Sequence, residues 1–204
     1  MSQHHHHHDD HAHCGHDHGA KHIYIYSPSS AVRDKRGITR LKALGHEVEV
    51  DEAALASHLR FAGDDATRIA AIGRAAASGA HVALISRGGY GLTRLLPQLP
   101  YKAVAKAVEK GMKFVGVSDF TAFQNAVLAK TGAVTWAGPA LGSDFGVEGA
   151  PDDIMEACFD DLLTGHGEGT GWRMPKEKAT DTTNLVAEGA GKTGATGDFY
   201  TKKA

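Results

Sequence analysis

The sequence has few cysteines, no long apolar run and no excess of basic residues, which are the features of disulfide-stabilised, membrane-spanning and nucleic-acid-binding proteins, respectively. Among 204 residues it has 2 Cys, and its 22 Lys and Arg face 24 Asp and Glu. Because Cys14 lies in a polar N-terminal stretch and Cys158 in a predicted helix, a disulfide framework is not expected and a reducing compartment is favoured. No run approaches the ~18 apolar residues of a membrane span, and no secretory signal opens the chain, so the cytoplasm is the predicted location. The balanced charge gives no basis for binding nucleic acid or an anionic membrane, and neither is expected as a partner.

Histidine is the residue in excess, and it is concentrated at the start of the chain. Ten of the 14 His lie at or before His22. Residues 1–21 are polar and low in complexity, which predicts a disordered tail. Its side chains suit loose binding of Zn²⁺, Ni²⁺ or Cu²⁺, but no ligand spacing predicts a fixed site. An expression tag and a metal-buffering extension both stay open, and no catalytic metal or other cofactor is expected.

Residues 22–165 alternate short apolar strands with amphipathic helices, which predicts an α/β fold with a doubly wound, mostly parallel sheet. The nearly all-apolar run at 81–86 is typical of a strand buried on both faces. Residues 166–204 lack hydrophobic periodicity, which predicts a linker and an irregular C-terminal tail. The predicted strands lie at 22–27, 47–50, 81–86, 113–117 and 134–138, and the predicted helices at 31–44, 64–77, 101–110, 120–130 and 152–163.

Two turns at predicted strand ends could carry chemistry, because ligands bind at the carboxyl ends of parallel strands. Residues 87–91 read RGGYG, and three glycines in five residues allow backbone N–H groups to face an anion. A tight turn without a ligand is the alternative. In residues 116–120, GVSDF, Ser118 lies at a strand-to-helix turn that would expose its hydroxyl, with the N–H of Asp119 beside it. The alternative is a helix N-cap made by Ser118 and Asp119.

A serine nucleophile also needs a general base, usually a histidine. His46 and His81 open predicted strands, which places them at the opposite edge of the sheet from Ser118. His58 lies in an irregular stretch, and His166 lies in a Gly-rich loop as the one flexible candidate. No convincing base is predicted.

With these residues in place, the sequence resembles the LD-carboxypeptidase family of serine peptidases, which includes muramoyltetrapeptide carboxypeptidases and microcin-immunity relatives. The resemblance covers about residues 23–189 and implies that 22–165 form the family's N-terminal, nucleophile-bearing domain, of the flavodoxin or Rossmann type. It implies Ser118 as nucleophile, with the N–H groups of Asp119 and Gly89 as oxyanion donors. The matching motifs are SPSS at 27–30, FAGDD at 61–65 with Arg68, RGGYG at 87–91 with RLLP at 94–97, GVSDFT at 116–121, KTG at 130–132 and GP at 138–139.

The resemblance further implies a serine-type LD-carboxypeptidase that releases the terminal D-Ala from murein tetrapeptide during peptidoglycan recycling. In the family, the Glu and His of a Ser-His-Glu triad lie in a C-terminal domain after a Glu-Gly-x-Leu-Trp-Gly-Gly-Asn-like segment. Here Glu188 and Gly189 match its start and residues 190–194 depart from it. We therefore expect the second domain to be missing and this chain to be weakly active or inactive. A non-catalytic anion-binding module and a metal-binding function of the His-rich tail are the alternatives, and a second copy of the chain is left open as a partner.

Overall fold

Among the residues that the structure describes, five parallel strands form one sheet in the order β2-β1-β3-β4-β5. The computed structural model describes residues 19–32 and 34–165. The strands are β1 His22–Tyr26, β2 Glu47–Val50, β3 Val82–Ile85, β4 Lys113–Gly116 and β5 Trp136–Ala137. The helices are α1 Arg36–Ala43, α2 Asp65–Ala77, α3 Leu92–Leu95, α4 Tyr101–Glu109, α5 Phe120–Thr131 and α6 Asp153–Thr164, with a 3₁₀ turn at Leu96–Gln98 and a π-helical turn at Leu141–Phe145.

Helices cover both faces of the sheet, because alternate residues of each central strand point to opposite sides. In β1, Tyr24 and Tyr26 enter the core under α2, α4 and α5. Ile23 and Ile25 enter the core under α1, α6 and the π-helical turn. This is a doubly wound sheet with the strand order of flavodoxin. The chain adds β2 on one side of β1 and adds β3, β4 and β5 on the other side, so the order of the strands reverses between β1 and β3. The carboxyl ends of those two strands are therefore the expected position of a ligand site.

The predicted fold class is confirmed. The sheet was predicted to be mostly parallel, and all of its described strand pairs are parallel. The first helix begins at Arg36, later than the predicted residue 31, and the last strand is shorter than predicted. Within the described part of the chain β5 lies at the sheet edge and pairs only with β4, through two residues. Helix α3 and the two short turns were not predicted, because they are too short to show a helical period.

Helix ends follow the local signals in the sequence. Asp64 caps α2 by accepting a hydrogen bond from the N–H of Thr67 at 2.7 Å, and Asp152 caps α6 through the N–H of Met155 at 3.0 Å. Gly165 ends α6 in the left-handed conformation, with φ +79°. Capping therefore fixes where α2 leaves the carboxyl edge of the sheet.

The predicted tails at 1–21 and 166–204 lie outside the described residues, apart from residues 19–21. The boundaries placed at residues 21 and 165 stay predictions. Within the part of the chain that the structure describes, no helix combines the length and apolar character needed to cross a bilayer.

Candidate active site

Three turns meet at the carboxyl edge of the sheet, where β1, β3 and β4 end side by side. We call residues 27–30 the serine turn, residues 87–91 the glycine turn and residues 117–119 the nucleophile turn. They follow neighbouring strands although they lie far apart in the sequence. The two turns singled out from the sequence are thus brought together, and the serine turn joins them.

Ser118 has a backbone conformation that serine rarely adopts. Its φ is +68°, in the left-handed region, which costs a non-glycine residue about 1–2 kcal/mol. The residue is exposed and stands between β4 and α5. A Cβ on Gly116 would lie 2.5 Å from the ring of Phe120, so only glycine allows the helix to begin so close to the strand. A strained, exposed serine at a sharp strand-to-helix turn is typical of a nucleophile.

The glycine turn lies directly against Ser118. A Cβ placed on Gly88 would lie 2.6 Å from the Cβ of Ser118 and 3.0 Å from its Oγ. A Cβ on Gly89 would lie 2.4 Å from the Oγ of Ser30 in the serine turn. Both glycines are therefore required by close approach of neighbouring turns, and the backbone of the glycine turn borders the Ser118 hydroxyl.

The two predicted oxyanion donors differ in their hydrogen bonds. Among the described residues, the N–H of Asp119 has no acceptor, so it is free to face a ligand. The N–H of Gly89 donates to the Oδ1 atom of Asp119 at 3.0 Å. Gly89 would have to leave this carboxylate before it could donate to an oxyanion. The N–H of Gly88 has no acceptor within the described ranges, so it is a second candidate that the sequence did not single out.

Buried serine hydroxyls hold the floor of the site. The hydroxyls of Ser27 and Ser86 lie 2.6 Å apart, and Ser27 also donates to the carbonyl of Ala54 at 2.7 Å. Ser29 is fully buried and donates to the Oδ2 atom of Asp119 at 2.7 Å. The SPSS motif was recognised in the sequence, but no structural role was predicted for it. These contacts make it a scaffold that joins the chain segments following β1, β2, β3 and β4.

Arg68 is a fully buried arginine behind the same turns. It donates to the carbonyl of Pro28 at 3.1 Å and to Asp65 at 2.6 Å. Its guanidinium lies 4.6 Å from the ring centroid of Phe61, within cation–π range. Arg68 therefore fixes the serine turn to the start of α2, a role that a charged helical residue does not reveal in sequence.

An ion pair between the buried Asp51 and the partly exposed Arg74 stabilises the chain just after β2. The Asp51 carboxylate accepts two bonds from Arg74, at 2.8 and 2.9 Å, one from the hydroxyl of Tyr24 at 2.6 Å and one from the N–H of Ala53 at 2.9 Å. Burial acts to raise the pKa of Asp51, but these bonds outweigh it and the pKa lies below the ordinary value of 3.8. Burial, and then the neighbouring Asp51, raise the pKa of Tyr24 far above its usual range. The cluster is a charged anchor beneath the loop that carries Ala54.

None of the described histidines is hydrogen-bonded to Ser118. His46 and His81 directly precede β2 and β3, at the amino edge of the sheet, as predicted. His58 lies on the carboxyl side, where it pairs with Phe61 and lines a pocket of about 360 Å³. Over residues 19–32 and 34–165 the Ser118 hydroxyl has no hydrogen-bond partner, and no three His, Cys, Asp or Glu side chains are placed to hold a metal ion. The remaining candidate, His166, lies outside the described residues.

A parallel sheet with a strained, exposed serine and a glycine turn at its carboxyl edge defines an α/β domain with a candidate active site at that edge. Residues 23–138 match the model of the LD-carboxypeptidase N-terminal domain, and the chain belongs to this family. A Streptomyces coelicolor protein named as a carboxypeptidase is 35% identical over 131 residues, which are 60% of this chain and 42% of that protein. The Microcin C7 self-immunity protein of Escherichia coli is 33% identical over 98 residues, 48% of this chain and 28% of that protein.

A solved structure supports the same assignment. The muramoyltetrapeptide carboxypeptidase from Oxalobacter formigenes superimposes with a TM-score of 0.66 and 34% identity, over 83% of this chain and 60% of that one. The present chain therefore spans less than two thirds of each of these three relatives. The expected family and its N-terminal domain are confirmed.

Proposed function

We propose that the chain carries the nucleophile-bearing part of a serine carboxypeptidase, in which Ser118 attacks a peptide carbonyl. The observation that carries the proposal is the left-handed φ of Ser118 beside the glycine turn. The strained backbone holds the hydroxyl clear of the sheet, and the free N–H of Asp119 lies next to it. This arrangement suits stabilisation of the negative charge that forms on the attacked carbonyl oxygen.

The proposed substrate is a murein tetrapeptide, and the bond broken is the amide before its terminal D-Ala. The Ser118 oxygen forms a bond to the carbonyl carbon, the serine proton passes to a base, and that proton reaches the departing amine of D-Ala. Water then releases the remaining peptide from Ser118. Because no described histidine is hydrogen-bonded to Ser118, we assign the base to residues outside 19–32 and 34–165. The name of the Oxalobacter relative supports a murein substrate, and a role in peptidoglycan recycling in the cytoplasm belongs to this proposal.

The microcin-immunity relative favours a different amide substrate for the same nucleophile. Reaction with a murein tetrapeptide and with Microcin C7 separates the two. In both cases the attacking atom is the Ser118 oxygen, so the choice of substrate does not alter the assignment of the nucleophile.

The nucleophile is tested by mass spectrometry of the full chain after reaction with a serine-directed fluorophosphonate. We expect one adduct, mapped to Ser118 and absent from Ser118→Ala. Ser143 supplies a matched control, because it is an exposed serine that donates to Asp144 at 2.7 Å but lacks the left-handed φ. Equal labelling of Ser118 and Ser143 contradicts the proposal.

Release of D-Ala from murein tetrapeptide is measured on the same samples. Release that disappears in Ser118→Ala supports the carboxypeptidase and shows that the chain supplies its own base. Labelling of Ser118 without release supports the nucleophile and indicates that murein tetrapeptide is not its substrate. Release that persists in Ser118→Ala overturns the proposal.

An anion-binding module is the second candidate, and one contact favours it. The glycine turn already holds a carboxylate oxygen, that of Asp119, through the N–H of Gly89. This function predicts that binding of a murein peptide survives Ser118→Ala and is lost in Gly89→Val, whose side chain would collide with Ser30. Calorimetric titration of the two variants tests this binding, and measurement of D-Ala release by the unsubstituted chain distinguishes the functions, because a binding module binds the peptide without releasing D-Ala.

A further inference from the structure

We propose that the side chain of Asp119 is a positioning residue that joins the serine turn and the glycine turn to the nucleophile turn. This inference deepens the proposed function and rests on it, since Ser118 is the group that is positioned. The sequence assigned to Asp119 only its backbone N–H. The structure gives its carboxylate a separate task.

The carboxylate of Asp119 does not do what its place in the chain predicts. Asp119 is the N-cap residue of α5, as Asp64 is of α2 and Asp152 is of α6. Asp64 and Asp152 each accept a hydrogen bond from the backbone N–H three residues on. Asp119 makes no such bond to its own helix. Asp119 has a helical backbone, with φ −64° and ψ −13°, whereas Asp64 and Asp152 are extended, and its own carbonyl already accepts the N–H of Ala122 at 3.0 Å. Its carboxylate therefore does not cap α5 and is available to other partners.

Both carboxylate oxygens instead reach other turns. Oδ2 accepts the hydroxyl of Ser29, 90 residues away, at 2.7 Å, and Oδ1 accepts the N–H of Gly89, 30 residues away, at 3.0 Å. Ser29 is fully buried, so its hydroxyl has no water to replace this acceptor. Bonds to an ionised acceptor are stronger than neutral ones. One side chain therefore fixes the spacing of three turns.

This arrangement gives different partners to the N–H groups of Gly89 and Asp119, which were predicted to stabilise an oxyanion together. The carboxylate holds the N–H of Gly89, and the N–H of Asp119 itself stays free beside Ser118. Without the carboxylate the glycine turn would lose its tie to the nucleophile turn, and Gly88 would no longer be held against Ser118. The left-handed φ of Ser118 depends on such support, because strained backbone persists only where its surroundings fix it.

The test is nuclear magnetic resonance of the isotope-labelled full chain and of two variants. Asp119→Ala removes both acceptors, whereas Asp119→Asn keeps an oxygen for Gly89 and an amide that can donate to Ser29. We expect amide exchange at Gly89 to accelerate about tenfold or more in the alanine variant, the factor that one charge-assisted bond is worth. The asparagine variant should restore most of the protection. The Cα and Cβ shifts of Ser118, which report its φ, should move in the alanine variant and stay in place in the asparagine variant.

Asp152→Ala is the matched control, because it removes an aspartate from an N-cap position on another helix. It should lower the melting temperature without a selective change at Gly89 or Ser118. Unchanged exchange at Gly89 in Asp119→Ala, or a change no larger than in Asp152→Ala, overturns the inference. Faster amide exchange at Gly89 without a change in the chemical shifts of Ser118 also overturns the inference, because the hydrogen bond from Gly89 to Asp119 would then have no effect on the backbone of Ser118. These readouts need no turnover, so a failure of the inference and a failure of Ser118 to react are seen separately.

Discussion

The left-handed backbone of Ser118 predicts that this serine destabilises the fold that carries it. Replacement by glycine relieves a strain of about 1–2 kcal/mol. Glycine in turn costs about 0.5–1 kcal/mol through the greater freedom of the unfolded chain. Ser118→Gly should therefore exceed Ser118→Ala in unfolding free energy by about 0.5–1 kcal/mol, because alanine keeps the strain and glycine does not. For a domain of this size that is about 1–4 °C in Tm.

The assay is calorimetric or denaturant unfolding of four variants. Ser143 provides the second pair, since it is exposed and its φ is not positive. At Ser143 the glycine variant should be less stable than the alanine variant by about 0.5–1 kcal/mol. The expected difference between glycine and alanine thus has opposite signs at the two serines. The same sign at both positions would refute the claim that Ser118 is held in a strained conformation.

Two further perturbations probe the site and its support. Gly88→Ala brings a Cβ to 2.6 Å from the Cβ of Ser118, so it should lower the free energy of unfolding by about 1–3 kcal/mol and slow the labelling of Ser118. Gly73→Ala, in open space on α2, should raise the free energy of unfolding by about 0.5–1 kcal/mol. Equal Tm values for the two variants would contradict the described packing. Asp51→Asn should lower the free energy of unfolding by about 1.5–3 kcal/mol at neutral pH, because it removes a buried charged acceptor from Arg74 and Tyr24, although Arg74 keeps Glu52 at 3.4 Å. The folded pKa of Asp51 is depressed, so the advantage of the native residue is full above about pH 4 and shrinks as the pH falls through the folded pKa. Urea unfolding at several pH values measures this, and an advantage that does not change with pH counts against the assigned ion pair.

Much of the fold could be predicted because its signals are local. The run at 82–85 is buried at every residue, as a central parallel strand requires, and Asp64 and Gly165 mark helix ends by their own chemistry. The place of the site followed from topology, since parallel strands end at one edge. Ser118 and the glycine turn were therefore found without knowledge of any contact between them.

The remaining parts of the site depend on distant partners. Local preference predicts that Asp119 caps a helix, but its acceptor oxygens are drawn to Ser29 and Gly89 instead. Arg68 has the appearance of a solvent-facing charge, and only the folded chain surrounds it with Phe61 and the carbonyl of Pro28. No spacing within a helix or strand encodes such contacts.

The long sequence separation of the Asp119 contacts also has a consequence for folding. Contacts between residues 30 and 90 positions apart form only after large loops have closed, which delays them relative to helices and local turns. The nucleophile turn can reach its final conformation only once β1, β3 and β4 are paired. A partly folded chain would thus hold Ser118 in a relaxed and unreactive backbone. Reactivity at Ser118 should consequently appear in step with the last phase of refolding, so that the chain does not expose an activated serine before its sheet is complete.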